Sequence, residues 1–189
     1  MNSLQQSERY RHLNNYLKNK FGERTLKICI DGNFTCPNRD GTKGTSGCIF
    51  CSERGSGEHI SCNHIPSSTE SIKSQVLNYF SSYKANRANK FIAYFQNFTN
   101  TYDTIPNLKA KYDSALIDNR IVGLSIATRP DCINEDIAKL IRSYSNKYYV
   151  CVELGLQTSN DDTGKLICRG YTSKDFTNAV SILNKYNID

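Results

Sequence analysis

Three cysteines stand near one another in a glycine-rich stretch that reads Cys36-Pro37-Asn38-Arg39-Asp40-Gly41 and, further on, Gly47-Cys48-Ile49-Phe50-Cys51-Ser52. Eleven residues separate the first cysteine from the second, and two separate the second from the third. A two-residue gap lets both sulfurs grip one metal centre through a tight turn. Gly41, Gly44 and Gly47 let the longer insert bring Cys36 round to the same centre, with amides free to bond cluster sulfides. Three ligands on a four-iron cluster leave one iron open to a substrate-like group, whereas a structural zinc site is normally closed by four ligands. Cys62, His59 and His64 follow closely enough to supply a fourth ligand. Spacing alone therefore leaves cluster and zinc both open.

The chain has eight cysteines in all. Cys29 and Cys151 fall inside apolar runs and are expected to pack as buried thiols. Cys132 and Cys168 read as incidental thiols, because reactivity depends on an electropositive, accessible setting. No apolar run approaches the length of a membrane span, and residues 1–20 carry no apolar signal region. The expectation is a cytoplasmic protein in which cysteines serve as ligands or core residues, with no membrane partner. A net charge of +6 permits a polyanionic partner such as RNA, but the lysines are scattered and form no dense block.

The elements that must position these residues show as a rhythm. Short runs rich in β-branched and aromatic residues predict strands over 26–30, 91–95, 121–126 and 148–154. Apolar residues at helical offsets predict helices over 67–83, 108–117, 134–144 and 173–186, and a further one over 3–19. Strand–helix alternation argues for an α/β fold with a parallel sheet, either doubly wound or part of a βα barrel. In both, chemistry collects at the C-terminal ends of the strands. Those ends are residues 31–57, 96–103, 127–132 and 155–169, which hold most of the chemically suggestive side chains.

The cysteine segment resembles the radical-SAM superfamily, in the Elp3-like and MiaB-like branch that widens the first gap of the usual Cys-x3-Cys-x2-Cys signature. More closely, it resembles the YhcC/YtqA group of bacterial radical-SAM proteins. The same group is matched by Tyr94-Phe95-Gln96-Asn97-Phe98-Thr99-Asn100-Thr101-Tyr102, by Gly123-Leu124-Ser125-Ile126-Ala127-Thr128-Arg129-Pro130-Asp131-Cys132, and by Glu153-Leu154-Gly155-Leu156-Gln157-Thr158. Four blocks in the right order, spanning about residues 21–171, are far more specific than any one of them.

The resemblance implies a radical-SAM core over residues 21–189, preceded by a helical extension over 1–20. That core would be a partial (βα)6-type barrel with about four βα units, expected to be either a fragment or a shortened protein with an exposed sheet edge. Cys36, Cys48 and Cys51 would hold a [4Fe–4S] cluster, and S-adenosylmethionine would occupy the open iron. Phe50 would lie on the adenine. Gln157 and Arg169 would contact the ribose and carboxylate, and Gln96, Thr128 and Arg129 would line the pocket. Glu153 reads equally as a structural ion pair or a cofactor contact. Where the family pattern has Asn-Arg-Gly-His, this chain has Cys168-Arg169-Gly170-Tyr171. The implied activity is reductive cleavage of S-adenosylmethionine to a 5′-deoxyadenosyl radical, fed by a flavodoxin or ferredoxin and directed at tRNA rather than DNA. Two other readings stand beside it: a zinc-binding adaptor closed by Cys62 or His64, and a fragment that binds cofactor without turnover.

Overall fold

The computed structural model describes residues 9–55 and 69–189. Strands β1 (Thr25–Ile30), β2 (Lys90–Phe95), β3 (Ile121–Thr128) and β4 (Tyr149–Leu154) pair in sequence order, every pair parallel. Helices α1 (Leu13–Phe21), α2 (Thr69–Phe80), α3 (Ile105–Ala115), α4 (Glu135–Tyr144), α5 (Asp161–Leu166) and α6 (Ser173–Lys185) complete the order. A doubly wound sheet reverses its strand order at a switch point; here the order runs straight through. Right-handed crossovers then place the helices between strands on one face, so the four βα units form an arc of a barrel.

Strand alternation divides the sheet cleanly. Ile28, Ile30, Ala93, Phe95, Leu124, Ile126, Val150 and Val152 point to the helices and are buried with Ile72, Val76, Leu108, Tyr112, Ile141 and Leu183. Leu124 is wholly buried at the centre of this layer. Replacing it with alanine should cost about 2–5 kcal/mol in urea unfolding. A loss below about 1 kcal/mol would contradict its central place.

The opposite, concave face carries Lys27, Cys29, Tyr94, Ser125, Cys151 and Glu153. Cys29 is exposed and Cys151 only half-buried, which corrects the expectation of two buried thiols. Both lie one residue out of phase with the strand positions that face the helices.

α1 seals one end of that concave face. Its Tyr16 and Phe21 rings lie 6.4 and 5.9 Å from Tyr149, whose position on β4 faces inward. The helix starts at Leu13 behind an N-cap at His12, not at Ser3; residues 9–12 are not helical, and residues 3–8 fall outside the described residues. It stops at Gly22, whose φ of 79° suits glycine and whose N–H donates to Lys18 O at 2.8 Å. α4 is capped by Asn134, whose Oδ1 accepts from Ile137 N at 2.9 Å. α6 is capped by a reciprocal Thr172–Asp175 box. At the far end Asp189 O accepts from Val152 N at 2.7 Å, so the chain's last residues return to the edge of β4.

Candidate cofactor site

The loop after β1 delivers the cysteines. Arg39 N and Asp40 N both donate to Cys36 O, at 2.8 and 3.1 Å, which curls the chain immediately after Cys36. Gly47 N donates to Asn38 O at 2.8 Å and closes the glycine-rich insert on itself. The expected tight turn between Cys48 and Cys51 is made by Cys51 N donating to Cys48 O at 3.0 Å. A bond from Ile49 N to Ile167 O, 3.2 Å, ties the turn to the segment that follows α5.

These turns put Cys36, Cys48 and Cys51 on the wall of one cavity of about 340 Å³ at the C-terminal ends of the strands. All three are free thiols. Burial pushes the Cys48 thiol up, opposed by a bond from Asn38 and by the nearby Arg129 cation, and the Cys36 and Cys51 sulfurs are close enough to add to the shift. Of the six residues expected to meet the cofactor, Phe50, Gln96, Thr128, Arg129 and Gln157 line this cavity and Arg169 does not. Phe50 presents a half-exposed ring there.

Arg169 is fully buried and spends its donors on the protein. Its Nε donates to Tyr171 O at 2.9 Å, Nη1 to Leu156 O at 2.8 Å and to Thr158 O, and Nη2 to Asp161 Oδ1 at 2.9 Å. Two of those carbonyls flank Gln157, which sits at φ 66°. Arg169 thus holds the turn that aims Gln157 at the cavity. Asn33 and Phe98, also at positive φ, lie at matching places three residues beyond β1 and β2. Such strain persists where surrounding structure over-determines a site.

Several wall residues were invisible to sequence reasoning. Thr99, Phe98, Arg39 and Tyr171 all line the cavity, as does Glu153, which by sequence alone reads equally as a structural ion pair or a cofactor contact. Thr99 Oγ1, Asn97 Oδ1 and Asn100 Oδ1 are buried oxygens with no partner among the described residues. Their only sequence signal was membership of the block after β2. Glu153 is bonded by Lys27, by Tyr94 OH at 2.7 Å and by Ser125 Oγ at 3.1 Å, one side chain from each of the other three strands. Burial pushes its carboxyl up, yet these bonds and the Lys27 charge outweigh burial and hold it below its ordinary value of 4.5. A depressed carboxyl stabilises the fold above its unfolded value and loses that contribution as pH falls through its folded value. The stability gap between wild type and Glu153→Gln should therefore narrow as urea midpoints are taken below about pH 4.5. A gap that stays constant through that range would disprove the ionic role.

Cys132 is a different kind of thiol. Burial and the neighbouring Asp131 push it up to about 12, so it stays protonated and unreactive at neutral pH, as its reading as an incidental thiol expects. Cys62, His59 and His64, the candidates for closing a zinc site, lie outside the described residues. Among the described residues no three metal-ligating side chains converge on a single ion.

The donor set fits a cluster with an open iron. Three thiols share one wall, and two of them receive N–H bonds from Asn38 and Arg129. The family model described as the radical SAM superfamily matches residues 38–189. YtqA of Bacillus subtilis is 38% identical over 183 residues, 96% of this chain and 55% of that protein. A tRNA uridine(34) acetyltransferase of Dehalococcoides mccartyi is 36% identical over 81 residues, 42% of this chain and 17% of that protein. Among solved structures, the cobalamin-dependent S-adenosylmethionine radical enzyme OxsB shares the fold at a TM-score of 0.55 and 14% identity, over 87% of this chain and 22% of that one. The chain spans about half the length of the curated relatives that it matches over most of its own length. With its family model covering most of the chain and the cysteine loop placed at the strand ends, this protein belongs to the radical SAM superfamily.

Proposed function

We propose that this chain binds a [4Fe–4S] cluster through Cys36, Cys48 and Cys51, binds S-adenosylmethionine beside it, and serves a radical reaction on a tRNA uridine. The observation that carries the cofactor reading is the single cavity that collects the three cysteines with Phe50, Gln96, Thr128 and Gln157. When bound, the cluster and S-adenosylmethionine supply a one-electron cleavage that yields methionine and a 5′-deoxyadenosyl radical able to take a hydrogen atom from substrate. The protein's part is to bind, orient and exclude water. Phe50 gives the adenine an aromatic face, Gln157 reaches the ribose from its strained turn, and Thr99 and Gln96 offer polar groups to the cofactor's amino acid end. Arg169, with its donors already used, acts by holding the Gln157 turn.

Support for tRNA comes from the likeness to the tRNA uridine(34) acetyltransferase and from the net charge of +6, which suits a polyanion. The electron is supplied by a flavodoxin or ferredoxin. The free thiols suit a reducing, cytoplasmic setting, and no described helix is long and apolar enough to cross a membrane.

The test is chemical. Anaerobically reconstituted protein, reduced with dithionite and given S-adenosylmethionine, should form methionine and 5′-deoxyadenosine in equal amounts. Addition of unmodified tRNA should raise the rate. Cluster-loaded protein that forms no 5′-deoxyadenosine would refute the activity, and a rate indifferent to tRNA would refute the substrate class.

A further inference from the structure

Asn38 and Arg129 each aim an N–H at one of the cysteine sulfurs. Asn38 Nδ2 lies 3.4 Å from Cys48 Sγ, and Arg129 Nη1 lies 3.7 Å from Cys36 Sγ. Neither donor is a surface group: Asn38 is 5% exposed and Arg129 7%. Neither is free to turn away. The two Asn38 Nδ2 protons also meet Cys168 O at 2.8 Å and Arg169 O at 2.9 Å, so the bond to Cys48 Sγ shares one of them in a bifurcated arrangement. Arg129 Nη1 donates to that same Arg169 carbonyl at 3.1 Å, while Nε and Nη2 clasp the Asp131 carboxylate at 2.9 and 2.8 Å. Asp131 is held in turn by Lys43 at 2.5 Å, and Lys43 donates to Gly170 O at 3.0 Å. One short segment, Cys168-Arg169-Gly170-Tyr171, therefore anchors both donors, and the ring of Tyr171 lies 4.8 Å beneath the Arg129 guanidinium.

Gly170 makes this anchoring possible. A Cβ there would sit 2.4 Å from Asn38 Oδ1, and its φ of 77° is a left-handed conformation that other residues resist. Cys168 is likewise held at φ 54°. The segment is shaped to press its carbonyls against the cysteine loop.

We propose that Asn38 and Arg129 are positioning residues that set the reduction potential of the cluster, through N–H···S bonds to Cys48 and Cys36 held by the 168–171 segment. This rests on the cluster reading given above. An N–H directed at a ligand sulfur stabilises negative charge there, and the reduced cluster carries one more electron than the oxidised one. Such bonds therefore favour reduction and raise the potential. Arg129 adds a full positive charge, only part of which the Asp131 carboxylate offsets at the sulfur it faces. In this reading Arg129 serves the cluster's ligand rather than the S-adenosylmethionine carboxylate.

The experiment is an EPR-monitored redox titration of anaerobically reconstituted wild type, Asn38→Ala and Arg129→Met, each normalised to its iron content. Both variants should reduce at more negative potential. Each loss should be about tenfold in the reduction equilibrium, which is about 59 mV for a one-electron couple. A purely structural role would lower iron content and leave the potential of the loaded fraction unchanged, and that result overturns the proposal. A second measurement needs no variant: pulsed EPR of the reduced wild-type cluster with arginine or asparagine side chains labelled with nitrogen-15. Hyperfine coupling to the labels is expected, and absence of coupling from both overturns the proposal even where the variants fail to load. Wild-type protein that takes up no cluster overturns the cluster reading itself, before any potential is measured.

Discussion

Alanine in place of Cys36, Cys48 or Cys51 should abolish cluster binding, each substitution acting alone. The three thiols line one cavity, so the loss of any one leaves two attachment points for four irons. Iron and sulfide per chain should fall from about four of each to near zero after anaerobic reconstitution. Formation of 5′-deoxyadenosine should fall below detection. The helix-facing core should survive, because the cysteine loop lies at the strand ends and contributes little to the apolar layer under the helices. Circular dichroism of the three variants should therefore match that of metal-free wild type. The informative comparison is Cys62→Ala. If Cys62 loses the metal as completely as the other three do, the centre has four protein ligands and the open-iron account fails.

Leucine in place of Arg169 should destabilise the protein by about 2–5 kcal/mol, because buried backbone carbonyls lose their donor while the partly exposed Asp161 stays solvated. For a chain of this size that is a melting temperature lower by roughly 4–20 °C. The guanidinium is fully buried and satisfies three backbone carbonyls and Asp161, and leucine would leave those acceptors without donors. Arg169→Lys should recover only part of the loss, since a compact ammonium cannot reproduce the planar fork that reaches four acceptors. Because Leu156 and Thr158 flank Gln157, the lysine variant should also weaken S-adenosylmethionine binding while its cluster content stays close to normal. Differential scanning calorimetry and equilibrium dialysis of S-adenosylmethionine separate the two effects. An Arg169→Leu protein that melts within about 2 °C of wild type would show that the buried network does not hold this segment.

How far the sequence was legible follows from what kind of information each residue carries. The strands were plain because runs such as Phe91-Ile92-Ala93-Tyr94-Phe95 suit little else, whereas alternation implied a parallel sheet but left the strand order open between a doubly wound sheet and a barrel. The cysteine loop was plain because ligand spacing is a local property. α5 went unseen: six residues with Gly164 at their centre give no amphipathic stripe to read. The start of α1 was misjudged because Tyr10 and Leu13 continue the helical offsets, whereas the chain becomes helical only after His12.

Side-chain direction was the larger gap. Cys29 sits in an apolar run, but strand alternation turns it to the concave face beside Lys27 and Tyr94, and no composition argument distinguishes the two faces of a strand that is apolar nearly throughout. Arg169 illustrates the same gap at the site. An arginine in this block suggested a carboxylate partner, and whether its donors meet a ligand or the protein's own carbonyls depends on a turn some ten residues away. Asn38 had no signal beyond its place two residues after Cys36, because an N–H···S contact leaves no trace in spacing.

The most direct test of the account is the metal content and EPR spectrum of the anaerobically reconstituted protein, with and without S-adenosylmethionine. About four irons and four sulfides per chain are expected, with negligible zinc, and a reduced-cluster EPR signal that changes shape when S-adenosylmethionine is added. One zinc per chain with no cluster, or a cluster whose signal is indifferent to S-adenosylmethionine, would contradict an open iron held by Cys36, Cys48 and Cys51.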